Sequence, residues 1–327
     1  MFVNFAFPLL LLTLTASHAA ANPAEISRFI FQKAWSPKSL NLTDWNFRSG
    51  AKSSFDSVSM IKDPFNTNQD TCYNIPFAKQ SYGIDGSNNS GVHANFKPLQ
   101  DHQANRAMIS YEVGFPENFN WVKGGKLPGL FGGSADLGCT GGREANGYNC
   151  FSTRLMWREG GVGEVYAYIP KSLNRKLCSR SDTTCNSEYG TSIGRNFRFN
   201  AGSWNKVDLF VQLNTGNEQN GYLKLYVNGK LQVDLSNLVY RSADDLYADT
   251  FEFSSFFGGS TPDYATPVDT NVYIKNIKFQ TDPEYLENTL ITLDSSSTSS
   301  TPLKTIYLLL LSTSIIKIMN FYPTVNI

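Results

Sequence analysis

Three short stretches hold the residue types needed to grip an acid group and move a proton beside it. Lys126 stands in GGKLPGL (Gly124–Leu130), Ser152 and Arg154 in CFSTRLMWR (Cys150–Arg158), and Tyr166 and Tyr168 in GEVYAYIP (Gly163–Pro170). Lysine and arginine neutralise an anion, and arginine grips a planar carboxylate through two parallel hydrogen bonds. A phenol can act as an acid, but it becomes a base only where neighbouring cations pull its pKa down from about 10. Each residue also has a plainer role. Tyrosine in a strand is commonly a packing residue, and an isolated lysine commonly lies in solvent.

Charge supports the first view. The chain of 327 residues balances 28 Lys+Arg against 28 Asp+Glu, so no global field draws it to nucleic acid. From Trp121 to Arg180 the balance fails: nine cations (Lys123, Lys126, Arg143, Arg154, Arg158, Lys171, Arg175, Lys176, Arg180) face four anions (Asp136, Glu144, Glu159, Glu164). Gathered on one sheet face, this excess would attract a polyanion. Spread over two faces, it would only solvate the protein. Strand parity favours gathering. A hairpin of Phe151–Arg158 and Glu164–Ile169 turning about Gly161 puts Ser152, Arg154, Tyr166 and Tyr168 on one face, with Arg154 opposite Tyr168. Leu155, Trp157 and Val165 fall on the other face and belong in the core. The glycines and Pro128 around Lys126 suggest a shaped loop. His93, in SGVHANF, either reaches the same face as a substrate contact or lies on the surface.

The elements that must position these residues are strands. Period-two apolar alternation marks Ala107–Phe115, Cys150–Trp157, Glu164–Ile169, Lys206–Asn214, Tyr222–Val227, Lys230–Leu235, Thr250–Phe257 and Val272–Phe279. Asn228-Gly229 supplies a type I′ hairpin turn, and Ala24–Lys33 is the one short helical candidate. The expected fold is all-β, a jelly-roll sandwich of two antiparallel sheets with a concave groove, spanning 22–287.

The ends differ in kind. Met1–Ala21 has the apolar run and small-residue exit of a secretory signal. Residues 288–305 form a Ser/Thr-rich linker. Residues 306–327 are an apolar tail, which is either a GPI-anchor signal or an irrelevant extension. Secretion fits the sequons at Asn41 and Asn88. It also fits the cysteine spacing: Cys139–Cys150 and Cys178–Cys185 would close short loops worth roughly 2–3 kcal/mol each, leaving Cys72 odd. No CxxC pair suggests a zinc site, and neither metal nor cofactor is expected.

Asn120–Gly133, Cys150–Arg158, Gly163–Pro170 and Phe251–Gly259 (FEFSSFFGG) together resemble polysaccharide lyase family 14, the alginate and glucuronan lyases, in order over roughly Asp101–Phe279. The loop Cys178–Cys185 and the tail fall outside the resemblance. It implies a jelly roll that cleaves 1,4-linked uronate polymers by β-elimination, with functional residues at Lys126, Ser152, Arg154, Tyr166 and Tyr168. Abstracting a uronate C5 proton piles charge onto an already negative carboxylate, so Lys126 and Arg154 would neutralise it. Tyr168 would be the acid/base with Tyr166 in support, or the reverse, and Lys126 as the base is a third option. Ser152 would bind substrate or orient Arg154. The partner is an acidic polysaccharide, and membrane association depends on the tail. Two competitors remain. A lectin-like jelly roll would keep the cations without needing the tyrosine pair. A glycoside hydrolase needs two carboxylates about 5–10 Å apart, and Glu164 is the only acid in the hairpin strands.

Overall fold

The computed structural model describes residues 29–50, 55–66, 70–84, 90–100, 102–282 and 284–285. The chain divides into units Met1–Leu286 and Glu287–Ile327, the second wholly outside the described residues. The leader 1–21, the Asn88 sequon, the linker and the tail also lie outside them.

Eighteen strands make up the described fold: β1 (Phe29–Ile30), β2 (Lys33–Trp35), β3 (Phe47–Gly50), β4 (Ser59–Lys62), β5 (Thr71–Phe77), β6 (Val92–Phe96), β7 (Arg106–Gly114), β8 (Gly124–Gly133), β9 (Cys150–Arg158), β10 (Val162–Tyr168), β11 (Thr183–Cys185), β12 (Thr191–Arg198), β13 (Trp204–Gln212), β14 (Gly221–Val227), β15 (Lys230–Leu238), β16 (Thr250–Phe257), β17 (Thr270–Thr281) and β18 (Glu284–Tyr285). One sheet runs β11-β12-β10-β9-β8-β16-β6-β3. The other runs β15-β14-β13-β7-β17-β5-β4, with β2 also on β17, and β1 pairs β18 separately. Every pairing is antiparallel, and the two sheets pack as a β-jelly roll. Alternation decides which side chains meet between them. Phe151, Leu155, Trp157, Val165, Phe251 and Phe253 are buried in the shared core with Ile109, Val207, Leu209 and Ile274 from the facing sheet.

The eight strands expected from alternation are all present as β7, β9, β10 and β13–β17. Asn228 and Gly229 take φ of 52° and 75°, as a type I′ turn requires. Three local expectations are corrected. Of Ala24–Lys33, residues 24–28 lie outside the described residues and the rest holds strand at 29–30 and 33 rather than helix, because β1 and β2 find partners in β18 and β17. GGKLPGL is not a loop but the first seven residues of β8, held between β9 and β16. Pro128 is tolerated there because the β8–β9 register shifts between Leu127 and Gly129, so its missing N–H falls at a bulge. Gly129 allows the close approach, since a Cβ there would lie 2.0 Å from the Thr153 carbonyl oxygen. Finally, the β9–β10 turn is shorter than expected. Glu159–Gly161 alone make it, with Gly160 and Gly161 at positive φ. Arg154 therefore faces Tyr166 and Ser152 faces Tyr168, a slip of two that leaves every side chain on its expected face.

Both disulfides form as the spacing suggested, Cys139–Cys150 and Cys178–Cys185. Cys72 is a buried free thiol on β5, its pKa pushed up to about 11 by burial and by nearby Asp63. Asn41 is exposed and caps a short helix, Leu42–Trp45, by accepting a hydrogen bond from Thr43 N at 3.1 Å. Among the described residues no helix is long and apolar enough to cross a membrane.

Candidate active site

The side chains of β6, β8, β9, β10, β12 and β16 that point away from the core line a groove of about 810 Å³. It contains Lys126, Arg154, Tyr166, Tyr168 and His93 of the residues expected from sequence, and its walls add Arg158, Arg195, Asn95 and Met156. Of the nine cations between Trp121 and Arg180, Lys126, Arg143, Arg154 and Arg158 reach the groove. Three others are engaged elsewhere, Lys123 with Asp263, Lys171 with Glu144 and Arg180 with Asp182. The linear cluster is thus only partly a spatial one.

Lys126 sits at the centre. Its Nζ lies 2.9 Å from the Met156 sulfur and 3.8 Å from the centroid of the Tyr166 ring. No carboxylate forms an ion pair with it among the described residues. Burial, followed by the charges of Arg154 and Arg158, holds its pKa well below the usual lysine range, against smaller opposing effects of Glu164 and Glu252. Such an amine gives up its proton more readily than a lysine in solvent.

The two phenols pack edge to face beside it, ring centroids 5.7 Å apart. Tyr166 Oη accepts a hydrogen bond from Gly190 N at 3.0 Å, and Tyr168 Oη accepts one from Gly142 N at 3.1 Å. Burial is the main cause that raises the Tyr166 pKa, which keeps that phenol protonated. The Tyr168 contact comes from the loop that Cys139–Cys150 ties down over the sheet. Phe131, Met156 and both tyrosines pack with this disulfide in an apolar cluster outside the main core. Ser152 does not reach the groove. It is fully buried and donates its hydroxyl to the Cys139 carbonyl at 2.9 Å, so it anchors the loop behind Tyr168.

Arg154 is 1% exposed, and its Nη1 lies 3.1 Å from Glu252 Oε1. Glu252 is itself buried, and desolvation raises its pKa to about 7 despite Arg154 and Lys126. His93 Nδ1 sits 3.4 Å from Ser254 Oγ and 3.8 Å from Glu252 Oε1. Burial, then the Arg154 charge, pushes its pKa down to about 3, so the ring is neutral. Arg154 Nε, both Glu252 oxygens and Asn95 Oδ1 are buried and make no hydrogen bond of proper geometry with the protein. Buried polar atoms in this condition are rare, and two of the residues that hold them, Arg154 and Asn95, line the groove, which marks where a polar ligand can satisfy them.

Glu252, Asn95 and the Arg158–Glu164–Arg195 network were not singled out from sequence. Parity could have found the first two. Phe251 and Phe253 point inward, which puts Glu252 on the groove face, and Ala94 between His93 and Asn95 does the same on β6. Among the described residues no three His, Cys, Asp or Glu side chains are gathered as metal ligands.

A cationic groove on the outer face of a jelly-roll sheet, with buried polar atoms that make no hydrogen bond, defines a β-sandwich with a site suited to an anionic ligand. The chain belongs to the polysaccharide lyase 14 family, whose profile matches residues 65–277, and it is a polysaccharide lyase. The structure of the marine alginate lyase from Aplysia kurodai is 30% identical, with a TM-score of 0.66 over 77% of this chain and 100% of that one. The alginate lyase vAL-1 from a Chlorella virus (21% identity, TM-score 0.57, 69% of this chain and 89% of that one) shares the fold. So does an alginate lyase solved with an alginate tetrasaccharide (22%, 0.51, 66% and 82%). No curated protein matches the chain significantly.

Proposed function

We propose that this lyase acts outside the cell on 1,4-linked uronate polymers, alginate first among them, with Lys126 as the general base. The observation that carries the assignment is the Lys126 amine, placed among two arginines and two phenols with no acid of its own. In β-elimination the C5 proton leaves, C4=C5 forms and the C4–O4 bond breaks. The first requirement is a base, and an amine with a depressed pKa meets it better than a buried phenol whose pKa is raised. Tyr168 then donates a proton to the departing O4. Arg154, whose Nε makes no hydrogen bond, supplies a guanidinium to the uronate carboxylate as negative charge builds on it. Glu252 positions Arg154 through the 3.1 Å ion pair.

Alginate is favoured by the 30% identity to the Aplysia kurodai alginate lyase, and polyglucuronate is the other polymer to compare. Two disulfides support an oxidising compartment, in keeping with the signal-like leader. The test is incubation of the purified chain with alginate and with polyglucuronate while following ultraviolet absorbance of the 4,5-unsaturated product. Absorbance that is lost in Lys126→Ala and Tyr168→Phe supports the reading. New reducing ends without absorbance mean hydrolysis, and retention on the polymer with neither means a lectin. Either would overturn it.

A further inference from the structure

Beyond the reacting centre, the groove wall holds a second charged assembly. Glu164 on β10 is fully buried. Its Oε1 accepts hydrogen bonds from Arg158 Nε at 2.9 Å, Arg158 Nη2 at 2.5 Å and Ser192 Oγ at 3.0 Å, and its Oε2 accepts one from Arg195 Nε at 2.6 Å. Two guanidinium groups share one carboxylate, leaving one positive charge uncompensated. Among the described residues no other acid forms an ion pair with either arginine. Among the described residues, Arg158 donates only from Nε and Nη2 and Arg195 only from Nε, and both side chains line the groove.

The position of Arg195 is set by a break in its strand. Ile193 and Phe197 on β12 both point into the core, so plain alternation would send Arg195 there too. Instead the β10–β12 register shifts between Gly163 and Val165, and Gly194 takes φ of 71° with no room for a Cβ, which would lie 2.5 Å from Val233 Cγ2. This bulge turns Arg195 outward to meet Glu164. Arg158 lies four residues beyond Arg154 on the same face of β9, about 13 Å along the strand. An anion held by Arg158 is therefore not the one gripped by Arg154. Arg158 is nonetheless close enough to Lys126 to help depress its pKa, so the two places adjoin.

We propose that Arg158 and Arg195, aligned by Glu164, form a second carboxylate-binding subsite that holds a uronate neighbouring the one that reacts. The proposal rests on the lyase reading above. Glu164 is a positioning residue: it fixes the two forks side by side and leaves their outer N–H groups for a planar carboxylate.

The test is steady-state kinetics of the full chain on the uronate polymer it cleaves, comparing Arg195→Gln, Arg195→Lys and Glu164→Gln. Arg195 is half exposed, so its variants are expected to fold. Arg195→Gln should raise KM roughly tenfold, with kcat within twofold and a weaker dependence of KM on salt. Arg195→Lys should fall between it and the wild type. Glu164→Gln removes a negative charge from the groove wall. It should still raise KM because the forks lose their alignment, whereas a merely electrostatic wall would bind better. A KM for Arg195→Gln within twofold of wild type, or a lower KM for Glu164→Gln, overturns the subsite while leaving the lyase intact. A wild type that cleaves no uronate polymer overturns the lyase reading instead. The subsite is then judged by calorimetry with a uronate oligosaccharide, where equal affinity of wild type and Arg195→Gln overturns it.

Discussion

A lysine that must neutralise a carboxylate and a lysine that must remove a proton respond oppositely to replacement by arginine. Arginine keeps the charge but cannot give up its proton. If Lys126 is the base, Lys126→Arg should cut kcat by about 10³-fold while polymer affinity stays within about threefold. Retention of a tenth or more of the wild-type kcat would return the base role to a tyrosine. Glu252 and His93 make a second residue-scale prediction. Glu252 titrates near 7 in the fold and at the ordinary 4.5 when unfolded, so the native state binds the extra proton between those values. Its contribution to stability is present at low pH and is lost as pH rises through 7. His93 runs the other way. It is held near 3 against an ordinary 6.5, so its contribution is present above 6.5 and is lost as pH falls. Between about 4.5 and 6.5 the two oppose. Melting of wild type and Glu252→Gln across this range should show the wild type gaining on the variant as pH falls, and parallel curves would remove Glu252 from the account. Much of this site was legible in sequence, because residue type and strand parity selected Arg154 and the tyrosine pair, while Lys126 was marked by the GGKLPGL motif of the family resemblance. Ser152 was misjudged because parity gives a face but not what already covers that face.

Strands set in register by bulges make the next scale. Alternation named eight strands, but it passed over β8 because glycines and Pro128 dilute the apolar signal, and over β12 because its bulge breaks the alternation itself. Those two irregular strands carry Lys126 and Arg195. Local strand chemistry is therefore least readable where the sheet departs from ideal pairing to aim a side chain. Gly129 tests the idea. In Gly129→Ala the new Cβ would meet the Thr153 carbonyl oxygen at 2.0 Å and the Arg154 Cα at 2.6 Å, so β8 and β9 must separate. We expect a loss of about 2–3 kcal/mol in chemical unfolding and a loss of kcat, as the shift carries Arg154 with it. A variant of normal stability would show the bulge to be soft. The Cys139–Cys150 loop acts at the same scale. Breaking it in Cys139→Ser/Cys150→Ser should cost roughly 3 kcal/mol and lower kcat, since Gly142 N and the Ser152 anchor both lie on the Tyr168 side of the loop. Breaking Cys178–Cys185 should affect stability more than kcat.

For the molecule as a whole, a formal net charge of zero conceals a groove that gathers cations on one face. Binding of a polyanion should accordingly weaken steeply with ionic strength, with KM rising several-fold between about 0.05 M and 0.5 M salt as the Debye length contracts. A flat KM would show that shape rather than charge captures the polymer. The sandwich and its two sheets followed from period-two patterning because each buries one face and each strand is short. The order of strands within a sheet did not, since β16 joins the far side of β8 through contacts more than a hundred residues apart in sequence. Cys72 carries a last consequence. Once β4, β5 and β17 have come together, the thiol is sealed from solvent and, with a pKa near 11, is inert. Before that moment it is one of five equivalent sulfurs, and nothing but the speed of sheet closure keeps it from capturing a partner meant for another. Oxidative renaturation from the reduced, denatured state should thus yield scrambled, covalently linked oligomers that Cys72→Ala suppresses. Equal recovery of native monomer from both chains would mean that the strands bury this sulfur before any bridge can form.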